Sequence, residues 1–311
     1  MKRNVSEVLR RGFDSTVANW PVIVLRIAES LVVAAVAIAA ILAAVVPTVV
    51  AAGLSKDEIV NSDDPGGAMI SWLIGHLMLF VWIFALGFLF LGVVIAIHSF
   101  VEGGSVQILV DGERAASRGS TSARDAFRAF SIDRWLSGGV SSWWRIFWVY
   151  NLAWSVGLVF VLVPLVITIV ALLAVSNTAG RVVIGCSGLA LAVLILIPVG
   201  IITSIWCTKA ITICVARSVS ARESLALGWR AIRADLGRHL AIAVIVIVIT
   251  MALNSIVSVF GVPMSITEHR LPTMALMFAP VRIVIGVVQG VFSAATGSFL
   301  LACFVSMTEE R

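Results

Sequence analysis

Apolar residues run in long unbroken blocks along this chain, and polar residues gather in the short stretches between them. A block of about 20 apolar residues is long enough to cross a bilayer as a helix. The pattern predicts six such blocks, roughly over 21–46, 68–97, 143–173, 183–207, 237–260 and 281–304. Their wealth of Val and Ile does not argue for strands, because in lipid only helices and closed barrels satisfy every backbone group. The expected fold is an all-α integral membrane protein with six transmembrane helices, a single membrane domain over residues 1–311.

Between the blocks the pattern changes to short amphipathic segments that share one plan. Ser220 is followed three positions later by Glu223, Ser122 by Asp125 and Asn4 by Glu7. That spacing is the capping-box signature of a helix start. Glu7 to Asn19 and Glu223 to Asp235 are both twelve residues, and Gly12-Phe13 falls in register with Gly228-Trp229. Phe127 and Phe130 supply the apolar side of the middle copy. We expect three parallel repeats, each an amphipathic helix followed by a helical hairpin, over 1–110, 118–215 and 218–306. An even number of spans per repeat gives all three the same orientation, unlike the inverted repeats of many transporters. Asn19 is expected to cap the next helix, with Pro21 in its first turn and Trp20 as an interfacial anchor.

Composition sharpens this picture. The chain is 60% hydrophobic and 13% charged, against about 25% charge in soluble domains. The net charge of +5 matters by its placement. Lys2, Arg3, Arg10 and Arg11, the run from Arg114 to Arg134, and Lys209 through Arg238 all fall in or beside the segments that hold the amphipathic stretches. The positive-inside rule puts those stretches and both termini in the cytoplasm, and it explains the arginines without nucleic acid. The stretch 47–68 reads as an acidic external loop with a turn at Asp64-Pro65-Gly66-Gly67, and Thr267 to Arg270 as the charged cluster of a second. The first apolar run is too long for a cleavable signal. Cys186, Cys207, Cys214 and Cys303 have no zinc spacing and read as small buried hydrophobes.

Candidate chemistry is sparse. Arg26 and Glu29 lie three apart on one face of the first span, where charge needs a partner or a wet cavity. They read as an ion pair near the cytoplasmic interface, with Arg26 snorkelling, or as part of a polar site between helices. His76 is the other titratable group inside a span; it lies about 33 Å of helix from His98, so the two share no metal. Glu29 and His76 are expected near opposite ends of neighbouring helices. Gly286, Gly290, Ala294 and Ser298 recur every four residues, a small-residue stripe for close helix packing. Pro164 and Pro198 should bend their helices, shaping packing or framing a cavity. Gly103-Gly104 suggests another bend. Phosphate loop, HExxH, nucleophile elbow and paired deep carboxylates are all missing from the sequence, so no catalytic residue, metal or cofactor is expected.

The segments Asn4–Asn19, Ser122–Trp135 and Ser220–Asp235, each feeding a long apolar helix, resemble the glycerophosphodiester phosphodiesterase membrane-domain-like superfamily and related bacterial six-span proteins. The resemblance implies a bacterial inner-membrane domain. The family's enzymes carry a separate soluble barrel that this sequence lacks, so it implies no phosphodiesterase activity. The expected role is structural or accessory. Its partners would be anionic membrane lipids, a second copy of the chain or another membrane protein, met through the basic amphipathic helices. A small transporter or channel-like permease is the alternative.

Overall fold

A computed structural model describes residues 3–60, 75–118, 124–175, 177–261, 264 and 275–310. Among them the chain is helical, with short connections and no strand. The helices are α1 (Val5–Ala18), α2 (Pro21–Val60), α3 (Leu77–Arg118), α4 (Ile132–Ala174), α5 (Thr178–Arg217), α6 (Ala221–Ala234), α7 (Leu236–Val259) and α8 (Ala275–Thr308). Six of them, α2 to α5 with α7 and α8, are long and apolar enough to cross a membrane. The Asp64–Gly67 turn, Ser122 and the Thr267–Arg270 cluster lie outside the described residues.

Several expected boundaries move, three of them for a visible reason. Helix α2 continues past Pro47 to Val60, so residues 47–60 are helix rather than loop. Proline has no N–H to give the carbonyl four residues back. Here the Trp82 indole N–H donates to that carbonyl, Ala43 O, at 3.2 Å. Helix α4 starts at Ile132, well before the expected 143, with Ser131 accepting from the Arg134 N–H at 3.3 Å as its cap. The middle amphipathic copy forms a single 3-10 turn at Arg124–Phe127 and then non-helical backbone up to Ser131, not a helix.

Asn19 accounts for that last difference. Its side-chain oxygen accepts from the Ala129 and Phe130 N–H groups at 3.0 Å each, and its amide donates to Phe127 O at 2.8 Å. The N–H groups a helix would use are thereby taken. Asn19 is 1% exposed, so every one of these bonds satisfies a buried group. The side chain expected to cap α2 instead holds a segment more than a hundred residues away; only the Asn19 carbonyl serves α2, accepting from Val22 N–H at 3.0 Å.

The chain divides into two compact units. The first comprises Met1–Ile27 with Ser99–Arg311, the second Ala28–His98. In the first, α1 packs on α8, α6 on α5, α4 beside α5, and α8 against α5 and α7. Val106, Leu109, Ile146, Ala210, Ile211 and Leu301 form the centre of its core. Helix α3 meets α4 closely through glycines on both sides. A Cβ on Gly104 would sit 2.5 Å from Trp135 O, and one on Gly138 would sit 2.6 Å from Gln107 Cβ. Gly103 and Gly104 lie inside a continuous helix and allow this close packing. Trp143, Trp144 and Trp148 stand exposed on α4, as an interfacial aromatic belt does. The second unit holds the remaining parts of α2 and α3, whose large apolar side chains, Leu31, Ile38, Phe84 and Phe88 among them, are exposed. That surface suits lipid and not water.

Candidate functional site

Helices α1 and α6 are built alike. Asn4 Oδ1 accepts from the Glu7 N–H at 2.7 Å, and Ser220 Oγ from the Glu223 N–H at 3.3 Å. Each helix has fourteen residues and buries one face: Val8, Gly12, Ser15 and Thr16 in α1, and Ser224, Leu225, Gly228 and Ile232 in α6. The two glycines in register are both points of close contact. A Cβ on Gly12 would meet Cys303 Sγ of α8, and one on Gly228 would lie 3.2 Å from the Ala210 backbone of α5. The Trp206 indole N–H also donates to Leu225 O at 2.8 Å, fastening α6 to α5.

The arginines are used differently. Arg3 and Arg11, flanking and within α1, both pair with the buried Glu113 of α3, at 2.7 and 2.8 Å. Arg3 Nη1 also donates to Ser306 O and Oγ at 2.8 Å. Only Arg10 of the α1 arginines is exposed. On α6, Arg222, Arg230 and Arg233 are all exposed, and among the described residues none of them forms an ion pair. Arg233 lies over the Trp229 ring at 5.2 Å.

The C-terminal end of α8 collects further cations. Arg114 pairs with Glu309 at 3.0 Å and donates to Ala216 O at 2.7 Å. Arg238 pairs with Glu310 at 2.9 Å and with Asp235 at 3.1 Å, and it donates to Arg3 O at 2.7 Å. The buried Lys209 ammonium donates to Thr308 Oγ1 at 2.8 Å. A helix C-terminus carries partial negative charge, so cations are favoured there. Basic residues assigned to the cytoplasmic face by count thus include several locked into the protein.

The charges inside the spans take separate partners. Arg26 belongs to the first unit, Glu29 and His76 to the second. Arg26 lies 3.5 Å from Glu102 of α3, which also accepts a hydrogen bond from the Tyr150 hydroxyl of α4. A Cβ on Gly297 of α8 would come within 3.2 Å of the Arg26 guanidinium. Four helices therefore meet at this buried cluster. Glu29 pairs with His98 of α3. The His76 carbonyl accepts from Leu79 N–H at 2.8 Å at the start of α3. The small-residue stripe divides: Ala294 and Ser298 are buried within the chain, while Gly286 is exposed and, among the described residues, nothing lies within 4 Å of a Cβ placed on Gly286 or Gly290. Pro164 and Pro198 sit inside unbroken helices. The carbonyl of Pro164 accepts from Thr168 Oγ1 at 2.8 Å.

Beside Pro198 lies an apolar groove of about 510 Å³. Val156 and Phe160 of α4, Ile202 and Trp206 of α5, and Ala226 and Trp229 of α6 line it. Its volume is that of a ligand pocket, which spans about 300–1,000 Å³. A smaller recess of about 260 Å³ is lined by Trp20, Arg124, Asp125 and Arg128 among others, with Arg124 already 3.5 Å from Asp14. Sequence reading missed Glu113, Glu102 and the groove. Their sequence signals were the carboxylates Glu102 and Glu113 beyond the second apolar block, and Trp206 and Trp229, before and within the third short segment. Among the described residues no cluster of three or more metal-ligating side chains occurs. Comparison with protein-family models, curated proteins and solved structures finds no match.

Proposed function

We infer that this is a structural or accessory protein of the inner membrane that holds anionic lipid at the cytoplasmic face through its amphipathic helices, α6 above all. The observation that carries this reading is the set of three exposed arginines on α6, none in an ion pair among the described residues, beside an apolar surface. A helix with a basic face and an apolar face binds in the headgroup region and is drawn to negative charge. Each such arginine near an anionic surface contributes about 1 kcal/mol. The bias of arginine toward the amphipathic segments supports cytoplasmic termini. The plan shared by α1 and α6 supports descent from a repeated unit, with the middle copy reduced to a turn.

The test is native mass spectrometry of the protein released from membranes holding phosphatidylglycerol and phosphatidylcholine in equal parts. Retained phosphatidylglycerol should exceed phosphatidylcholine about fivefold for each arginine engaged. Equal retention of the two contradicts the reading.

A further inference from the structure

We propose that the groove between α4, α5 and α6 is a seat for one acyl chain of an anionic phospholipid of the cytoplasmic leaflet, whose headgroup rests on Arg222, Arg230 and Arg233. This deepens the lipid-binding reading above and rests on it.

Three observations converge. The first is continuity between the apolar and basic surfaces. At 100° per residue, Leu225, Trp229, Arg222, Arg233, Ala226 and Arg230 fall within about 140° of arc on α6. Leu225, Ala226 and Trp229 line the groove, so its wall and the arginines occupy one face. Arg233 stacked over Trp229 joins the two surfaces at a single point. An occupant must therefore be apolar along its length and negative at its end.

The second is depth. Val156 lies eight residues beyond the belt residue Trp148, about 12 Å along α4. The groove thus runs from the level of α6 and the tryptophans into the hydrocarbon layer, the path an acyl chain takes from its headgroup. The third is that the groove is held open by its frame. The Trp206 indole N–H bonded to Leu225 O, and Gly228 against the Ala210 backbone, fix α6 on α5 at one edge. Gly157 against Thr203, where a Cβ would come within 2.9 Å of the hydroxyl, fixes α4 on α5 at the other. No part of this frame depends on the three arginines, which leaves them available to a ligand.

The test uses the full chain in nanodiscs with phosphatidylglycerol carrying a photoreactive diazirine midway along one acyl chain, and the matching phosphatidylcholine as control. Labelled residues are mapped by mass spectrometry. Labelling by phosphatidylglycerol should concentrate on Val156, Phe160 and Ile202 over the lipid-facing Phe84 and Phe88. Ala226→Trp, which fills the groove from an exposed position, should lower that labelling about tenfold, the loss expected when two chain CH₂ groups forfeit their burial. Val156→Trp fills it from the opposite wall and should do the same if the first variant folds poorly. The variant R222Q/R230Q/R233Q should remove the preference for phosphatidylglycerol at the groove.

Even labelling over all lipid-facing helices overturns the seat. So does equal groove labelling by the two lipids in the wild type, or no labelling of Val156 and Phe160 by either. If labelling is even but the arginine variant still loses its anionic lipid, the seat fails and the broader reading stands. If the arginine variant keeps its anionic lipid, both fail.

Discussion

Helices α1 and α6 have the same length, the same type of cap and a glycine in register, yet they spend their charge differently. At α1 two arginines turn inward, Arg11 within the helix and Arg3 just before it, both taken by Glu113, and Arg10 alone stays exposed. Those of α6 stay outside, beside an apolar groove. Local sequence sets up both helices, and the tertiary environment decides what each can bind. A basic amphipathic helix is a lipid-binding element only when no carboxylate of its own chain has claimed it. In α1 the claim is made from α3, and the helix becomes a strut on α8.

The contrast breaks most severely at Glu113. Its side chain is 2% exposed and bridges two arginines. Glu113→Gln leaves both cations partly buried without their counter-charge, which should cost about 3–5 kcal/mol. No residue of α6 has an equivalent role, so no charge-removing change there should approach that loss. Thermal unfolding followed by a thiol-reactive dye measures it, because Cys207, Cys214 and Cys303 are buried and the exposed Cys186 can be replaced by serine. An unchanged midpoint for Glu113→Gln would refute the strut.

The two glycines sharpen the comparison. Gly12→Ala drives a Cβ into Cys303 and should cost about 1–3 kcal/mol as overpacking. At Gly228 the nearest atoms are 3.2 Å away, so Gly228→Ala should cost less. Pairing Gly12→Ala with Cys303→Ala should recover part of the loss, since the sulfur is the nearest atom and the Cys303 backbone remains at 3.1 Å. Equal midpoints for the two single variants would show that the helices seat alike after all. The caps should make the smallest difference: Asn4→Ala and Ser220→Ala each remove one bond to an N3 amide, about 1 kcal/mol apiece. Equal losses in the same dye experiment would confirm that the helices differ in charge use and not in their starts.

The helical architecture was legible because span length and capping are local signals. Six apolar blocks become six helices long enough to span a membrane, and Asn4 and Ser220 make the bonds that their spacing announces. What escaped was decided at long range. Asn19 has the chemistry of a cap, and nothing nearby reveals that its amide group will instead satisfy backbone 108 to 111 residues away. Arg26 pairs with Glu102 and Glu29 with His98, and no local spacing marks either partner on α3. The period-four stripe on α8 is a clear pattern, while a close helix contact joins Gly104 to the backbone of Trp135 and Gly138 to Gln107, which no periodicity marks. The groove needs three helices at once. Only its aromatic rims, Trp206 and Trp229, are visible one residue at a time.

The most direct test of the account is a lipid count on two variants by native mass spectrometry from mixed phosphatidylglycerol and phosphatidylcholine membranes. R222Q/R230Q/R233Q should unfold within about 0.5 kcal/mol of the wild type, as exposed substitutions do, yet lose its preference for phosphatidylglycerol. R3Q/R11Q should be destabilised and keep that preference. The reverse assignment, or an unchanged preference in the α6 variant, would contradict the claim that α6 is the lipid-facing helix and α1 the internal one.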